Sequence, residues 1–571
     1  MTFLRRLLPV WLVAYSRSKL AADLMAGLIV TVLVIPQSLA YALLAGLPPQ
    51  AGLYVSIFPV IAYAMLGSSM VQAVGPVAIT AIMTYAVLSP LAIPGSSEYI
   101  VLAAVLALFS GLVLLVCGVL RLGFLSQLLS RPVISGFISG SAVLIIISQM
   151  KYLLGVALQG RSSIDLAVDL LGQLVHIHGP TLGIGLAALL VLAFARYGLA
   201  GMLGRCGLAA DGSALIVRLM PLLVVFGGTL AVVAFNLDRS GGVAVVGSIA
   251  AGLPGFEFFL PRAESIKLLI VPALIMALIG MVQGITMAQA LAIKRRERVD
   301  ANAELVGLGA ANVVAAFYGG MPVGGGLSRS AVNIAAGAQT PLASLVSALA
   351  MIAVVAGAAQ WFERLPLAVL AASIMMAAWS MIDVQALRQA WTYDRADALA
   401  LLGTAGGVLL LGLEAGIGLG IALSMATLLY RVSTPHIAVV GRLPGSEHFR
   451  NVERHAVETI PGVLFIRIDE RLFFGNLAAV EMRINQELER MVGARDLVLV
   501  MSAVNLMDTT AVAVFDELNE DLATRGVRLH LAEVKGPVQD RLQRSALWSS
   551  LSGQVFLSAN AAFEQLRQRG V

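Results

Sequence analysis

The chain has 571 residues, of which 59% are hydrophobic and only 12% charged, with a mean hydropathy of +0.89. Soluble domains carry about 25% charged residues, so a soluble protein is excluded and a polytopic membrane protein is indicated. The net charge of +5 and pI near 9.3 fit basic loops beside an anionic leaflet and call for no nucleic-acid partner.

Residues 1–20 carry Arg5 and Arg6 before a short apolar run that Pro9 and Trp11 interrupt. No small-residue cleavage site follows, which reads as an interfacial cytoplasmic segment and not a signal peptide. A helix needs about 20 apolar residues to cross a bilayer. On that basis residues 21–432 hold about fourteen predicted spans: 24–44, 52–66, a short 75–88, 100–120, 133–154, 182–194, 215–235, 268–292, 305–317, a short 328–338, 342–361, 367–382, 398–413 and 417–430. An even count puts both termini on one side. Arg17, Lys19, Arg121, Arg131, Arg196, Arg205, Lys294, Arg295, Arg296, Arg298, Arg388, Arg395 and Arg431 share that side with Arg5 and Arg6, against Arg161, Arg239, Arg262, Lys267 and Arg364 on the other. The excess makes the terminal side cytoplasmic, in a bacterial-type inner membrane.

The first and eighth spans echo each other. Gln37 and Gln283 fall at matching places, each beside a helix-disturbing Pro or Gly. Two segments later each half has a glycine-broken short helix, at Gly75-Pro76-Val77-Ala78 and from Gly324 through Gly326 to Arg329. Seven spans per half is odd, so the second half enters from the opposite side. Inverted repeats with broken helices at matching positions point to a transporter site near the midplane. Arg329 sharpens this expectation. A fixed cation at membrane depth faces a polar cavity or a partner, and Ser328 and Arg329 open a helix whose N-terminus attracts anions. The bland reading is an arginine that snorkels or binds a buried carbonyl.

No phosphate-binding glycine loop, metal-ligand cluster or nucleophile–base pair stands out, so no cofactor, metal or enzymatic activity is expected. His176 and His178 read as a loop pair. Charged residues become dense after Arg442. Residues 433–460 are expected to be a linker and first strand region, and 461–571 a compact α/β domain. There 463–468, 497–501 and 527–532 read as strands, 511–523 as a helix capped by Asp508-Thr509-Thr510, and 538–547 as helical.

In order, Ile35-Pro36-Gln37-Ser38-Leu39-Ala40-Tyr41-Ala42, Pro48-Pro49-Gln50-Ala51-Gly52-Leu53-Tyr54, Val74-Gly75-Pro76-Val77-Ala78, Asp300-Ala301-Asn302-Ala303-Glu304-Leu305, Leu327-Ser328-Arg329-Ser330-Ala331-Val332-Asn333 and Glu414-Ala415-Gly416-Ile417-Gly418-Leu419-Gly420 resemble the sulfate permease (SulP) anion transporters. Val504-Asn505-Leu506-Met507-Asp508-Thr509-Thr510 and Phe474-Gly475-Asn476 resemble a STAS domain. The resemblance implies a polytopic α-helical protein with a seven-plus-seven inverted repeat, core and gate domains, short broken helices three and ten, and a C-terminal cytoplasmic α/β STAS domain. It also implies a homodimer working by elevator-like alternating access. By position it carries a small-anion site over to Gln37, Tyr41, Val77, Ala78, Gly326, Ser328 and Arg329. Cation-coupled relatives place a carboxylate where this chain has Gln283, which cannot titrate, so proton or sodium symport through that position is not expected. Asp300, Glu304 and Glu414 are other titrating groups, with capping or a salt bridge as their bland role. Thr509 and Thr510 are candidate phosphorylation sites, with helix capping as the simpler role, and the STAS domain is a candidate surface for a cytosolic protein partner.

The leading expectation is a secondary transporter of inorganic or small organic anions, sulfate first, with chloride, bicarbonate and dicarboxylates close behind. The alternatives are an uncoupled anion channel and a membrane-anchored signalling protein whose output is the STAS domain. A uracil-type permease would carry acidic site residues instead of Arg329.

Overall fold

The computed structural model describes residues 9–13, 15–127, 130–157, 163–206, 210–249, 252–259 and 261–569. Arg5, Arg6 and Arg161 lie outside the described residues. The chain divides into two units, Met1–Ser424 and Met425–Val571.

The first unit is helical. Its first half contains α1 (Leu20–Leu44), α2 (Pro49–Tyr54), α3 (Phe58–Leu66), a two-residue strand β1 (Val74–Gly75), α4 (Ala78–Leu88), α5 (Ser97–Val119), α6 (Arg131–Leu154), α7 (Ser163–Gln173), α8 (Gly179–Phe194), α9 (Ala200–Arg205) and α10 (Ala210–Phe235). The second contains α11 (Ala263–Arg295), α12 (Ala301–Phe317), a two-residue strand β2 (Gly324–Gly325), α13 (Leu327–Ala335), α14 (Leu342–Gly357), α15 (Leu367–Trp379), α16 (Val384–Tyr393), α17 (Arg395–Leu411) and the first part of α18 (Leu413–Ser433), which continues past Ser424 into the second unit. Every one of the fourteen predicted spans coincides with helix. Among the described residues, eight helical stretches are long and apolar enough to cross a membrane, and further apolar helices are shorter. The two amphipathic helices α7 and α16 have no counterpart among the predicted elements.

Packing sorts these helices into two bundles. α1 packs on α13 and α14, α3 on α12 and α14, and α5 on α11 and α12. α6 packs on α15 and α17, α8 on α15, and α10 on α8 and α9. The α5–α12 crossing is close because small residues meet there. A Cβ on Gly111 would lie 2.8 Å from the Gly309 carbonyl oxygen, and one on Gly309 2.8 Å from that of Gly111. In a bilayer, where lipid is as apolar as leucine, such close packing is a main source of helix association. Before α1, the Trp11 indole donates to the Ala64 carbonyl at 2.8 Å, tying the N-terminal segment to α3.

The second unit is built on a six-stranded sheet in the order β4-β3-β5-β6-β7-β8. Its strands are β3 (Ile437–Arg442), β4 (Phe449–Asn451), β5 (Val463–Ile468), β6 (Asp496–Val500), β7 (Arg528–Ala532) and β8 (Val555–Phe556). β5 to β8 run parallel, and β3 is antiparallel to both its neighbours. The strand and helix cores predicted at 463–468, 497–501, 511–523 and 527–532 are present. β3 and β4 lie within 433–460 and pair into the same sheet. The helices are α19 (Leu477–Arg490), α20 (Thr509–Thr524), α21 (Gly536–Leu542), α22 (Ala546–Ser550) and α23 (Ala559–Arg569). One hydrophobic core joins Phe515 and Leu518 of α20 to Leu464 and Ile466 of β5, and another joins Phe563 and Leu566 of α23 to Phe465. Parallel strands covered on both faces explain why β6 is buried at every position.

Candidate functional site

The two glycine-broken segments meet. β1 and β2 pair antiparallel, with Val74 opposite Gly325 and Gly75 opposite Gly324. The Gly326 N–H donates to the Ala73 carbonyl at 3.1 Å, and the Ser330 hydroxyl accepts from the Ala73 N–H at 2.9 Å. α4 and α13 therefore start from one crossing, with Val77 and Gly326 as their N-caps. Each helix start adds free N–H groups and a partial positive charge.

Arg329 lies at the centre of this crossing and is 4% exposed. Its Nη1 donates to the Val74 carbonyl at 3.1 Å and its Nη2 to the Pro76 carbonyl at 3.0 Å, while Nε has no hydrogen-bond partner among the described residues. The guanidinium thus binds buried carbonyls, the role that the bland reading gave it, and its two Nη groups clamp β1. Yet carbonyl dipoles do not cancel a unit charge, and no carboxylate is among its partners in the described residues. The crossing keeps net positive charge. The clamp also explains Gly75, since a Cβ there would lie 2.0 Å from Nη1.

Tyr41 is buried on α1 within electrostatic reach of Arg329, and Gln37, one helical turn earlier, is half-buried. Val77 and Ala78 are buried at the start of α4. A Cβ on Gly326 would contact the Arg329 Cβ at 3.4 Å and Val77 Cγ1 at 3.6 Å. The backbone of Ser328 lies in α13, whereas its side chain, like that of Glu414, lies outside the described residues. Gln283 on α11 donates from Nε2 to the Gly325 carbonyl at 3.4 Å. It also lines a cavity of about 30 Å³ with Ile79 of α4, Val133, Phe137 and Ile138 of α6, and Thr404 of α17.

Two buried carboxylates anchor the ends of the crossing. Among the described residues Glu304 is neither a cap nor half of a salt bridge. It accepts from the Tyr63 hydroxyl at 2.7 Å, the Ser68 N–H and hydroxyl at 2.9 and 2.8 Å, and the Ser69 N–H at 2.6 Å, fixing the loop that leads into β1. Asp23, in the first turn of α1, accepts from the N–H groups of Gln339 and Thr340 and from the Thr340 hydroxyl at 2.7, 3.0 and 2.6 Å, fixing the loop that leaves α13. Asp23 was not singled out in the sequence; its signal was a lone acid at the start of an apolar span. Asp300 is the N-cap of α12.

In the second unit Asp508 caps α20 by accepting from the Ala511 N–H at 2.7 Å, and its other oxygen accepts from the Phe474 N–H at 2.9 Å. Thr509 and Thr510 take no part in that cap and are exposed. Asn476 is buried and donates to the Arg471 carbonyl at 2.8 Å, holding the Phe474-Gly475-Asn476 loop closed.

Comparison with known proteins agrees with this architecture. The sulfate permease family description matches residues 20–404, and the STAS domain description residues 454–562. A probable sulfate transporter of Mycobacterium tuberculosis is 34% identical over 558 residues, covering 97% of both chains. The chloroplastic sulfate transporter 4.1 of Arabidopsis thaliana is 32% identical, covering 94% of this chain and 78% of that one. Among solved structures, the murine solute carrier 26 family member A9 anion transporter superposes with a TM-score of 0.87 at 22% identity, over 100% of this chain and 95% of that one. The transmembrane domain of a cyanobacterial bicarbonate transporter, BicA, superposes with a TM-score of 0.61 at 23% identity, over 71% of this chain and 99% of that one. At these identities the superpositions speak for the fold.

Proposed function

The chain belongs to the sulfate permease family, a family of anion transporters and not of enzymes, and from that premise we propose that it carries sulfate or a similar small anion across the membrane by alternating access. One observation carries the reading: a buried guanidinium, matched by no carboxylate among the described residues, where two helix N-termini converge. A midplane anion needs positive potential without an irreversible grip. A charge already shared with two carbonyls attracts the anion while Nε and the helix ends remain to hold it. Gln37, Tyr41, Val77, Ala78, Gly326, Ser328 and Arg329 form the site in this reading.

The antiparallel meeting of two strand–short-helix units supports an inverted repeat, and the sorting of helices into two bundles supports an elevator-like movement of one past the other. A neutral amide at Gln283 supports transport without proton or sodium coupling there. The basic loops support cytoplasmic termini in an inner membrane. A homodimer completes the proposal, with the STAS domain as a contact for regulation through Thr509, Thr510 or a cytosolic protein.

The test is uptake by the purified full chain in proteoliposomes, with radiolabelled sulfate, chloride, bicarbonate and a dicarboxylate, with and without trapped anion, at two pH values. The expected result is saturable sulfate uptake that trapped anion accelerates and pH leaves flat. Negligible flux of every anion would sink the reading in favour of a sensor.

A further inference from the structure

The cavity beside Gln283 lies between the two bundles. Ile79 and Gln283 reach it from the bundle that holds the crossing, and Val133, Phe137, Ile138 and Thr404 from the other. It touches the anion site twice, since Ile79 follows Ala78 in α4 and Gln283 bonds the carbonyl of β2. Its volume is about 30 Å³. A sulfate or a dicarboxylate held at the crossing that extends into this space meets the opposite wall. That wall is apolar apart from the Thr404 hydroxyl, which is spent on the Ala400 carbonyl at 2.7 Å. Phe137 has the largest side chain in it and is only 6% exposed.

We infer that Phe137 is the size-determining residue of the transporter: its ring limits how large an anion the crossing admits when the bundles close. The inference rests on the proposed function and adds to it a residue of the facing bundle. A rigid ring packed between helices costs a bulky solute the energy of displacing it, whereas chloride leaves it in place. Hydrophobic walls discriminate by about 10-fold to 200-fold per methylene-sized change.

The experiment compares unaltered protein, Phe137→Ala and Phe137→Leu, each purified as the full chain in proteoliposomes. Uptake of a four-carbon dicarboxylate, sulfate and chloride is measured on the same samples. Ratios between anions do not depend on the yield of folded protein, and the Leu variant preserves packing if the Ala variant misfolds. Phe137→Ala is expected to raise the dicarboxylate-to-chloride ratio on the order of tenfold, with Phe137→Leu intermediate. Equal changes for all anions, leaving the ratios constant in both variants, would overturn the role of Phe137 while the anion site stands. Failure of the unaltered protein to move any anion would overturn the proposed function and this inference with it.

Discussion

Arg329 and Arg442 are both largely buried, yet their surroundings differ in one respect. Arg442, on β3 of the second unit, pairs with Glu458 at 2.8 Å and with Glu564, and its guanidinium lies 4.2 Å from the centre of the Phe563 ring. Hydrogen bonds to Glu458, then Glu564, hold its pKa above the ordinary arginine value. Its charge is spent within the domain. Among the described residues Arg329 meets only carbonyl oxygens, which orient a guanidinium without neutralising it. The same side chain is a fastener in one unit and a source of potential in the other, and the difference is whether a carboxylate was placed within reach. The buried carboxylates of the first unit, Asp23 and Glu304, are bound to loop N–H and hydroxyl groups instead.

The contrast breaks most visibly at Arg329. Arg329→Ala is expected to lower anion uptake per folded protein on the order of 100-fold, about the loss of one buried charged contact, with a much smaller change in folded yield. Uptake at the unaltered rate by a folded Ala variant would remove the guanidinium from the site. Next in size is Gln283→Glu. A protonated carboxyl can donate to the Gly325 carbonyl as the amide does, and an ionised one repels it, so uptake should become pH-dependent and be higher at acid pH. A flat pH profile in a folded variant would count against Gln283 as the reason for uncoupled transport.

Arg442→Ala tests the fastener. The partners Glu458 and Glu564 are 41% and 47% exposed, so solvent screens both pairs. The expected loss is about 1–2 kcal/mol of stability, read by thermal unfolding, with uptake per folded protein unchanged. The smallest effect concerns His530, buried on β7. Its Nδ1 accepts from the Gln554 N–H at 2.9 Å, which leaves the proton on Nε2, 2.9 Å from the Asp496 carboxylate. Burial foremost, with Arg528 and Arg569 adding to it, holds its pKa below 6.5 despite the opposing pull of Asp496. The unfolded chain therefore binds a proton that the fold resists, so this contribution is present above pH 6.5 and is lost as pH falls below it. Hydrogen exchange at the Gln554 amide, corrected for intrinsic rates, should rise on acidification, and His530→Gln should flatten the rise.

The spans, the two broken helices and Arg329 were legible in the chain because each is a local signal: an apolar run, a glycine cluster, a charge out of place. α7 and α16 escaped because their polar faces dilute the apolar pattern. β4 and β8 escaped because short edge strands carry little pattern of their own, whereas β3 falls in the stretch expected to hold a linker and first strand. Glu304 resembled a capping residue because it stands four residues after the true cap, Asp300. Only the approach of α3, with Tyr63, and of the Ser68–Ser69 loop reveals its four donors.

By itself the sequence determined a membrane-embedded helical unit followed by an α/β domain, and a cation beside a chain break. Apolar runs and stray charges act on their own neighbours in the chain, so a linear reading detects them. Tertiary structure alone decided that Val74 and Pro76 would hold a guanidinium roughly 250 residues away, and that no carboxylate of the described residues would join them. Those outcomes depend on which distant segments pair, and that is settled by packing two halves of the chain against each other.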